Sequence, residues 1–301
     1  ELHGGSMRGA SFTSVDAAGA VFRDVDLEGS DFNDISLHRT QFIGCRLASS
    51  RGLSAPAPEA FFAVCEPAAQ FMTPVPKGSH LSILDGHYDA VNGCKFTSDG
   101  RHVVSCSSDG TIRVWDARSS ECLHILRSPQ KMIKDCAVSG ERVASGGTDG
   151  TVAIWHLWSD NFDAILREHD GPVNAVSFSP DGHLVSASED GTLRIWDTAS
   201  RECVSVLRGH SKPVNRCVVS ADGRLIASAG SDRTLRLWRA ADGECVAVLA
   251  GHGGAVWDCA LSFDTQMLAS ASEDHTVRLW DTSSGREEVV LRGHEAPVRT
   301  C

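Results

Sequence analysis

Five tryptophans, Trp115, Trp155, Trp196, Trp238 and Trp280, recur at intervals of 40, 41, 42 and 42 residues, and that beat leaves the chain few options. Histidines keep the same rhythm at His87, His169, His210, His252 and His294, with one copy missing after the first. Self-similarity at this period marks an array of copied supersecondary units. Each unit holds four short runs rich in Val, Ile and Leu, as in VNAVSFSPDG, HLVSASEDG, TLRIWDTAS and CVSVL of the third. Asp-Gly separates such runs at 99–100, 109–110, 149–150, 181–182, 190–191 and 222–223, the signal of a tight hairpin whose two central residues take positive φ. Repeated four-stranded meanders follow. No such sheet can bury both faces alone, so the units must stack radially.

Two dipeptides sharpen this. Gly-His opens units at 86–87, 209–210, 251–252 and 293–294, and Trp-Asp closes the third run at 115–116, 196–197 and 280–281. Residues 81–301 therefore resemble WD40 repeats, which implies an all-β propeller whose blades carry strands a to d from the axis outward. The resemblance also implies a hydrogen-bonded tetrad of His, Ser/Thr, Asp and Trp in each blade. Three units offer all four: His87/Ser107/Asp109/Trp115, His169/Ser188/Asp190/Trp196 and His252/Ser272/Asp274/Trp280. These residues recur with every blade, whereas a catalytic Ser-His-Asp set need occur once, so they read as structural. The fourth unit has Gly230 in place of the serine. The second lacks both His and Ser, showing RSPQK at 127–131 and Gly147, and is expected to be the least rigid blade.

Cysteines follow the repeat as well. Cys94, Cys136, Cys217, Cys259 and Cys301 each lie three residues after a Val or Ile, and Cys122, Cys203 and Cys245 each follow a glutamate. No C-x-x-C pair occurs among these copies, so small buried apolar positions account for them better than zinc or disulfides. No cofactor or metal is expected.

Five complete blades are expected near 90–126, 133–166, 173–207, 214–249 and 256–291, with residues 297–301 starting a sixth. Seven blades are usual in the resembled family, so about 70 to 80 residues of closing sequence would be missing at this unit length. The chain reads as part of a larger multidomain protein, with the ring not closed.

A different beat occupies residues 2–47. Leu2, Met7, Phe12, Ala17, Phe22, Leu27, Phe32, Leu37, Phe42 and Leu47 are spaced by five, with small or medium residues such as Ala10, Val15, Ala20, Val25, Ser30 and Thr40 two positions earlier. A period of five fits neither helix nor strand but a chain that turns a corner every five residues. Residues 1–50 resemble a pentapeptide repeat, which implies a right-handed quadrilateral β-helix with both series pointing inward. Residues 51–80 read as a Pro/Ala-rich linker or cap, in which Phe61, Phe62, Val64 and Cys65 could cover the open end of the β-helix.

The formal charge of -11 is spread along the chain, which argues against a phosphate-binding surface. No apolar run is long enough for a membrane helix and no secretory signal stands at the start, so the cytoplasm is the expected compartment. Neither G-x-x-x-x-G-K-[ST], H-E-x-x-H nor G-x-S-x-G occurs, so no enzyme is expected. The leading reading is a non-catalytic protein-interaction scaffold or sensor module of a larger prokaryotic signalling protein, with no small-molecule substrate. Two alternatives are a nucleic-acid-mimicking or nucleic-acid-binding role of the acidic and basic pentapeptide surface (Asp24, Asp26, Glu28, Asp31 and Asp34 against Arg8, Arg23, Arg39 and Arg46), and an enzyme sited in the propeller channel.

In the resembled family the top face, made by loops between blades and by b-c turns, carries recognition. The positions just inside strand a are Asn92, Lys134, Asn174, Asn215, Trp257 and Arg299. Those preceding the turn aspartate include Glu189 and Glu273 beside Ser108, Thr148 and Ser231. Trp257 reads either as an interface anchor or as a plug of the channel, and the asparagines either as ligand contacts or as caps of loop backbone. Trp158, outside the repeat frame, is expected near the opposite face.

Overall fold

The computed structural model describes residues 2–6, 21–27, 30, 41–43, 61–63, 83–159 and 161–301. All regular elements among them are β-strands, and they fall into two compact units: Glu1–Gly86 with Arg118–Glu121, and His87–Ala117 with Cys122–Cys301.

The first unit holds a parallel sheet of β1 (Leu2–Ser6), β2 (Val21–Asp26), β3 (Gln41–Ile43) and β4 (Phe61–Ala63) in that order. Its register pairs Leu2 with Phe22, Phe22 with Phe42 and Phe42 with Phe62, so each strand lies 20 residues after the last. That step is four units of five residues, the spacing that the five-residue beat requires of a four-sided coil. Phe22 and Leu27 of the large series are buried, as are Val25 and Ser30 of the small series, and the Ser30 N–H closes a corner on the Leu27 carbonyl at 3.0 Å. Phe61–Ala63 pairs with β3 as a fourth parallel strand, one more 20-residue step, and Val64 and Cys65 of the expected cap lie outside the described residues. The remaining pentapeptide positions, most of the acidic and basic surface residues and most of the 51–80 segment lie outside the described residues.

The second unit is five antiparallel meanders. Blade 1 is β5 (Val91–Phe96), β6 (His102–Ser107), β7 (Thr111–Asp116) and β8 (Cys122–Arg127), and blade 2 is β9 (Ile133–Ser139), β10 (Arg142–Gly147), β11 (Thr151–His156) and β12 (Phe162–Arg167). Blade 3 comprises β13 (Val173–Phe178), β14 (Leu184–Ser188), β15 (Thr192–Asp197) and β16 (Glu202–Arg208). Blade 4 has β17 (Val214–Val219), β18 (Leu225–Gly230), β19 (Thr234–Arg239) and β20 (Cys245–Ala250), and blade 5 has β21 (Val256–Leu261), β22 (Met267–Ser272), β23 (Val277–Asp281) and β24 (Glu287–Leu291). The inner strands β5, β9, β13, β17 and β21 lie side by side in chain order. The core sits between blades: Val104, Cys106, Ile112, Val114 and Leu126 of blade 1 close on Ile133, Cys136, Val143 and Trp155 of blade 2, and the same apposition repeats to blade 5. Alternation along each strand supplies one face to the preceding blade and one to the next.

The turns differ from expectation in one respect. In the Asp-Gly hairpins the glycine has positive φ (Gly100 at 67°, Gly110 at 78°, Gly191 at 82°), while the aspartate before it does not. The Gly100 N–H closes on the Thr97 carbonyl at 2.9 Å, and the Asp99 carboxylate accepts the Arg101 N–H. These are type I turns followed by a left-handed residue, not the mirror-image turns the dipeptide suggested, because the aspartate side chain hydrogen-bonds forward from an ordinary conformation. Of the two cysteine series, Cys136, Cys217 and Cys259 are buried on inner strands as expected, whereas Cys94 and Cys301 of the same series are only half-buried; on the outer strands Cys122 is exposed and Cys203 and Cys245 are partly so.

Candidate functional site

Each blade is locked by a hydrogen-bonded chain. In blade 1, His87 Nδ1 donates to Asp109 at 2.9 Å, since a carboxylate can only accept, and His87 Nε2 therefore accepts from the Ser105 hydroxyl at 2.7 Å. The Trp115 indole donates to the same Ser105 oxygen at 2.8 Å. The chain recurs as His169/Asp190/Ser186/Trp196, His210/Asp232/Ser228/Trp238 and His252/Asp274/Ser270/Trp280. The serine expected in this role was two residues late. Ser107, Ser188 and Ser272 instead tie the b-c turn to the loop ahead of strand a, through the Asp89, Gly171 and Gly254 carbonyls. The tetrad serine is thus present in blade 4, where Gly230 occupies the turn-tying position.

Blade 2 also departs from expectation. Gln130 stands where the histidine would be: its amide donates to the Thr151 carbonyl at 2.7 Å, its oxygen accepts from Ser145 at 2.8 Å, and Ser145 in turn accepts from Trp155. A neutral amide, donor at one end and acceptor at the other, replaces imidazole in the same circuit. The grounds for expecting a loosened blade are therefore gone.

Burial outweighs the aspartate partner and lowers the basicity of His87, His169, His210 and His252, so all four are neutral near pH 7. Burial alone would raise the Asp109 and Asp274 carboxyls, but hydrogen bonds from Thr111, the Tyr88 N–H and His87 in one blade, and from Thr276, His252 and the Gly253 N–H in the other, hold both well below the usual carboxylate range.

Above this frame the inner strands open into a funnel of about 630 Å³, lined by Asn92, Lys134, Asn174, Asn215, Trp257 and Arg299 together with Ser108, Met132, Thr148, Glu189, Pro213 and Ser231. Seven of the eight expected recognition residues meet here; Glu273 does not, its carboxylate accepting the Ala255 N–H of its own loop at 3.3 Å. Local backbone geometry explains the convergence. The a-b ladder slips by one residue at the start of every inner strand: Val91 pairs with Ser107 but Gly93 with Cys106, and the same shift skips Lys134, Asn174, Asn215 and Trp257. Each of these is the extra residue of a β-bulge, outside the ladder.

On blades 1 to 4 the funnel wall is internally bonded. Asn92 donates to the Ile133 carbonyl, Asn174 to that of Val214 and Asn215 to that of Val256, each crossing to the next blade. Lys134 spans to Asn174 Oδ1 at 2.8 Å and Glu189 Oε1 at 2.7 Å. The asparagines are thus backbone caps between blades.

Beneath the funnel lies a group that the sequence reading passed over. Asp135 on β9 and Asp258 on β21 flank Arg216 on β17: Arg216 NH1 donates to Asp135 Oδ2 at 2.9 Å, and Arg216 Nε stands 3.1 Å from Asp258 Oδ1 as an ion pair without hydrogen-bond alignment. Asp135 also accepts the Val176 N–H, and Asp258 the Thr300 hydroxyl and the Cys301 N–H. The signal was available one residue along from the bulge, where Gly93, Asp135, Ala175, Arg216, Asp258 and Thr300 share a frame. On the other side, Trp158 is half-exposed with its ring edge-on to His102 at 5.0 Å.

A family model described as WD domain, G-beta repeat matches residues 78–116, 120–156, 161–197, 201–239 and 243–281. A second, described as pentapeptide repeats (8 copies), matches residues 1–34 and 18–51. Among curated proteins, the WD40 repeat-containing protein smu1 of Dictyostelium discoideum is 52% identical over 44 residues, 15% of this chain and 8% of that protein. Striatin-4 of Homo sapiens is 50% identical over 38 residues, 13% and 5% of the two chains, and apoptotic protease-activating factor 1 of Danio rerio is 29% identical over 117 residues, 38% and 9%. The matched stretches span under a tenth of each of these relatives.

Proposed function

Because the chain belongs to the WD40, G-beta repeat family, we propose that it is a non-catalytic protein-interaction module that recognises partners through the funnel, as an adaptor or sensor within a larger signalling protein. The observation that carries this reading is the row of β-bulges, which sets one side chain per blade outside the ladder at the mouth of a single concavity. Four repeats spend a histidine, a serine and a tryptophan on the same internal circuit and the second puts Gln130 in the histidine's place, which leaves the bulge positions, with Lys134 and Trp257 among three asparagines, free to vary between blades. A channel-sited enzyme would draw on Asp135, Arg216 and Asp258, but their charges are engaged with one another. The setting we propose is the reducing cytoplasm: Cys106, Cys122, Cys136, Cys203, Cys217, Cys245 and Cys259 are free thiols, and burial pushes the Cys217 thiol up to about 12, which keeps it inert.

The test is capture of partners by the whole chain and by a Trp257→Ala, Glu189→Ala variant with an unchanged melting curve. Proteins held by the parent and lost from the variant support the funnel as the recognition surface. An identical set on both places recognition elsewhere on the chain.

A further inference from the structure

We propose that the chain has a second docking site, on the face opposite the funnel, where a cleft between blades 3 and 4 takes one aromatic side chain of a partner polypeptide. The cleft encloses about 770 Å³ and is bounded by a-b and c-d turns, whereas the funnel lies at the other ends of the same strands. Val185, Ile195, Val204, Val219 and Ile226 make its walls apolar. The turns of blade 4 that bound it sit close on blade 3. A Cβ on Gly223 would stand 3.3 Å from the Ser179 hydroxyl, and one on Gly243 would stand 2.5 Å from Leu207 Cδ2. Blades 3 and 4 each pack against a blade on either side, so the cleft belongs to the interior of the array and not to its edge.

The equivalent junction between blades 1 and 2 shows what such a cleft accepts. Two residues after the repeat tryptophan stands Leu157 in blade 2 but Ala240 in blade 4, and three residues after it stands Trp158 in blade 2 but Ala241 in blade 4. Leu157 is buried in the core between blades 1 and 2, and the Trp158 ring lies edge-on to His102 of blade 1 with centroids 5.0 Å apart. His183 of blade 3 holds the place of His102: its carbonyl accepts the Ser179 N–H across the a-b turn, as that of His102 accepts the Thr97 N–H. Between blades 2 and 3 the same junction is spanned by Arg142, whose NH1 donates to the Thr198 hydroxyl at 2.7 Å. Blade 4 brings only two methyl groups toward His183, where blade 2 brings an isobutyl group and an indole to His102, and the cleft opens there.

Ring chemistry and charge select the occupant. Apolar walls beside an imidazole favour a planar ring in the edge-on arrangement that Trp158 already makes with His102. Two carboxylates, Asp181 and Asp242, and two guanidiniums, Arg224 and Arg239, line the cleft, so it asks no net charge of what it holds. Arg239 donates to Asp242 at 2.7 Å, and Asp181 stands 3.1 Å from His183 Nδ1. Carboxylates keep acceptor capacity beyond one partner and can take an indole N–H, which makes tryptophan the best fit. The space exceeds that of one ring, so residues flanking the aromatic enter with it, and a polypeptide fits better than a free ring.

The experiment pans a display library of short random peptides on the whole chain, then titrates the enriched peptides by fluorescence polarisation against the parent, Ala241→Trp, Val204→Glu and the funnel variant Trp257→Ala. Ala241→Trp supplies the ring from the chain itself, as Trp158 does in blade 2. Val204→Glu sets a charge on a wall residue that is 54% exposed, and keeps the test open if the first variant does not fold. The expected result is a class of peptides carrying Trp or Phe that binds each folded cleft variant about tenfold more weakly than the parent and binds Trp257→Ala unchanged. Replacing the peptide's aromatic residue by Ala should cost as much. Absence of that class overturns the inference, whether the enriched peptides ignore a folded cleft variant, need the cleft but carry no aromatic residue, or are not enriched at all. Displacement of the peptides by an equal concentration of N-acetyltryptophanamide also overturns it, by making the cleft a small-molecule site. Trp257→Ala judges the funnel separately, so either surface can fail without the other.

Discussion

Substituting one serine of each kind separates a structural circuit from a turn tie. Ser228→Ala strands the His210 Nε2 and the Trp238 indole in a buried site, and the expected cost is about 1 to 3 kcal/mol by urea unfolding. Ser188→Ala removes one bond to a loop carbonyl and one from the Asp190 N–H, and should cost about half as much. The four depressed histidines set an acid limit. A histidine kept neutral in the fold contributes stability that is fully present above its unfolded value of 6.5 and lost as pH falls below it, because the unfolded chain takes up protons that the fold resists. The tetrad aspartates, whose acidity is strengthened in the fold, add a further loss at lower pH. Melting temperature should therefore be level from pH 7 to 8 and fall progressively below about pH 6.5. A profile flat to pH 5 would contradict the buried neutral histidines.

Turns are the element where the repeats are imperfect. Gly110, Gly150 and Gly191 occupy the left-handed position of their b-c turns, but the same position holds Arg233 (φ 71°) in blade 4 and His275 (φ 67°) in blade 5, and Thr265 (φ 62°) holds it in an a-b turn. Side chains with a Cβ are strained there by roughly 1 kcal/mol. Arg233→Gly and Thr265→Gly should each stabilise the protein by about 0.5 to 1 kcal/mol, read as a shift of the urea midpoint at constant slope. Gly110→Ala should do the reverse, since the left-handed strain is joined by a Cβ 3.3 Å from the Lys131 carbonyl.

Across the whole second unit, Arg216 links blades that are not neighbours, reaching over blade 3 to Asp135 and beside it to Asp258. Arg216→Met leaves two carboxylates crowded together in a site with little water and should cost about 3 to 5 kcal/mol. Asp135→Asn and Asp258→Asn added to Arg216→Met remove the orphaned charge and should recover most of the loss, measured by the same unfolding curves. No recovery would mean that the group's hydrogen bonds, not its charge balance, hold the blades.

The period of the tryptophans and the Val, Ile and Leu runs determined by themselves that this is an all-β array of four-stranded units, because strand alternation and turn residues act within a few positions along the chain. The five-residue beat likewise determined a coil, and the 20-residue register of β1 to β4 is its direct product. Which serine completes each tetrad was not legible, since Ser105 and Ser107 lie on the same face of one strand and differ only in distance to an imidazole from 18 residues earlier. Gln130 could not be recognised as a histidine substitute until its amide was seen spanning Ser145 and Thr151. The funnel residues were found by their frame, but their release from the ladder depends on a bulge, and a bulge is set by how two strands pair. Arg216 and Asp135 lie 81 residues apart, and only the side-by-side packing of the inner strands β9, β13 and β17 brings their charges within 2.9 Å.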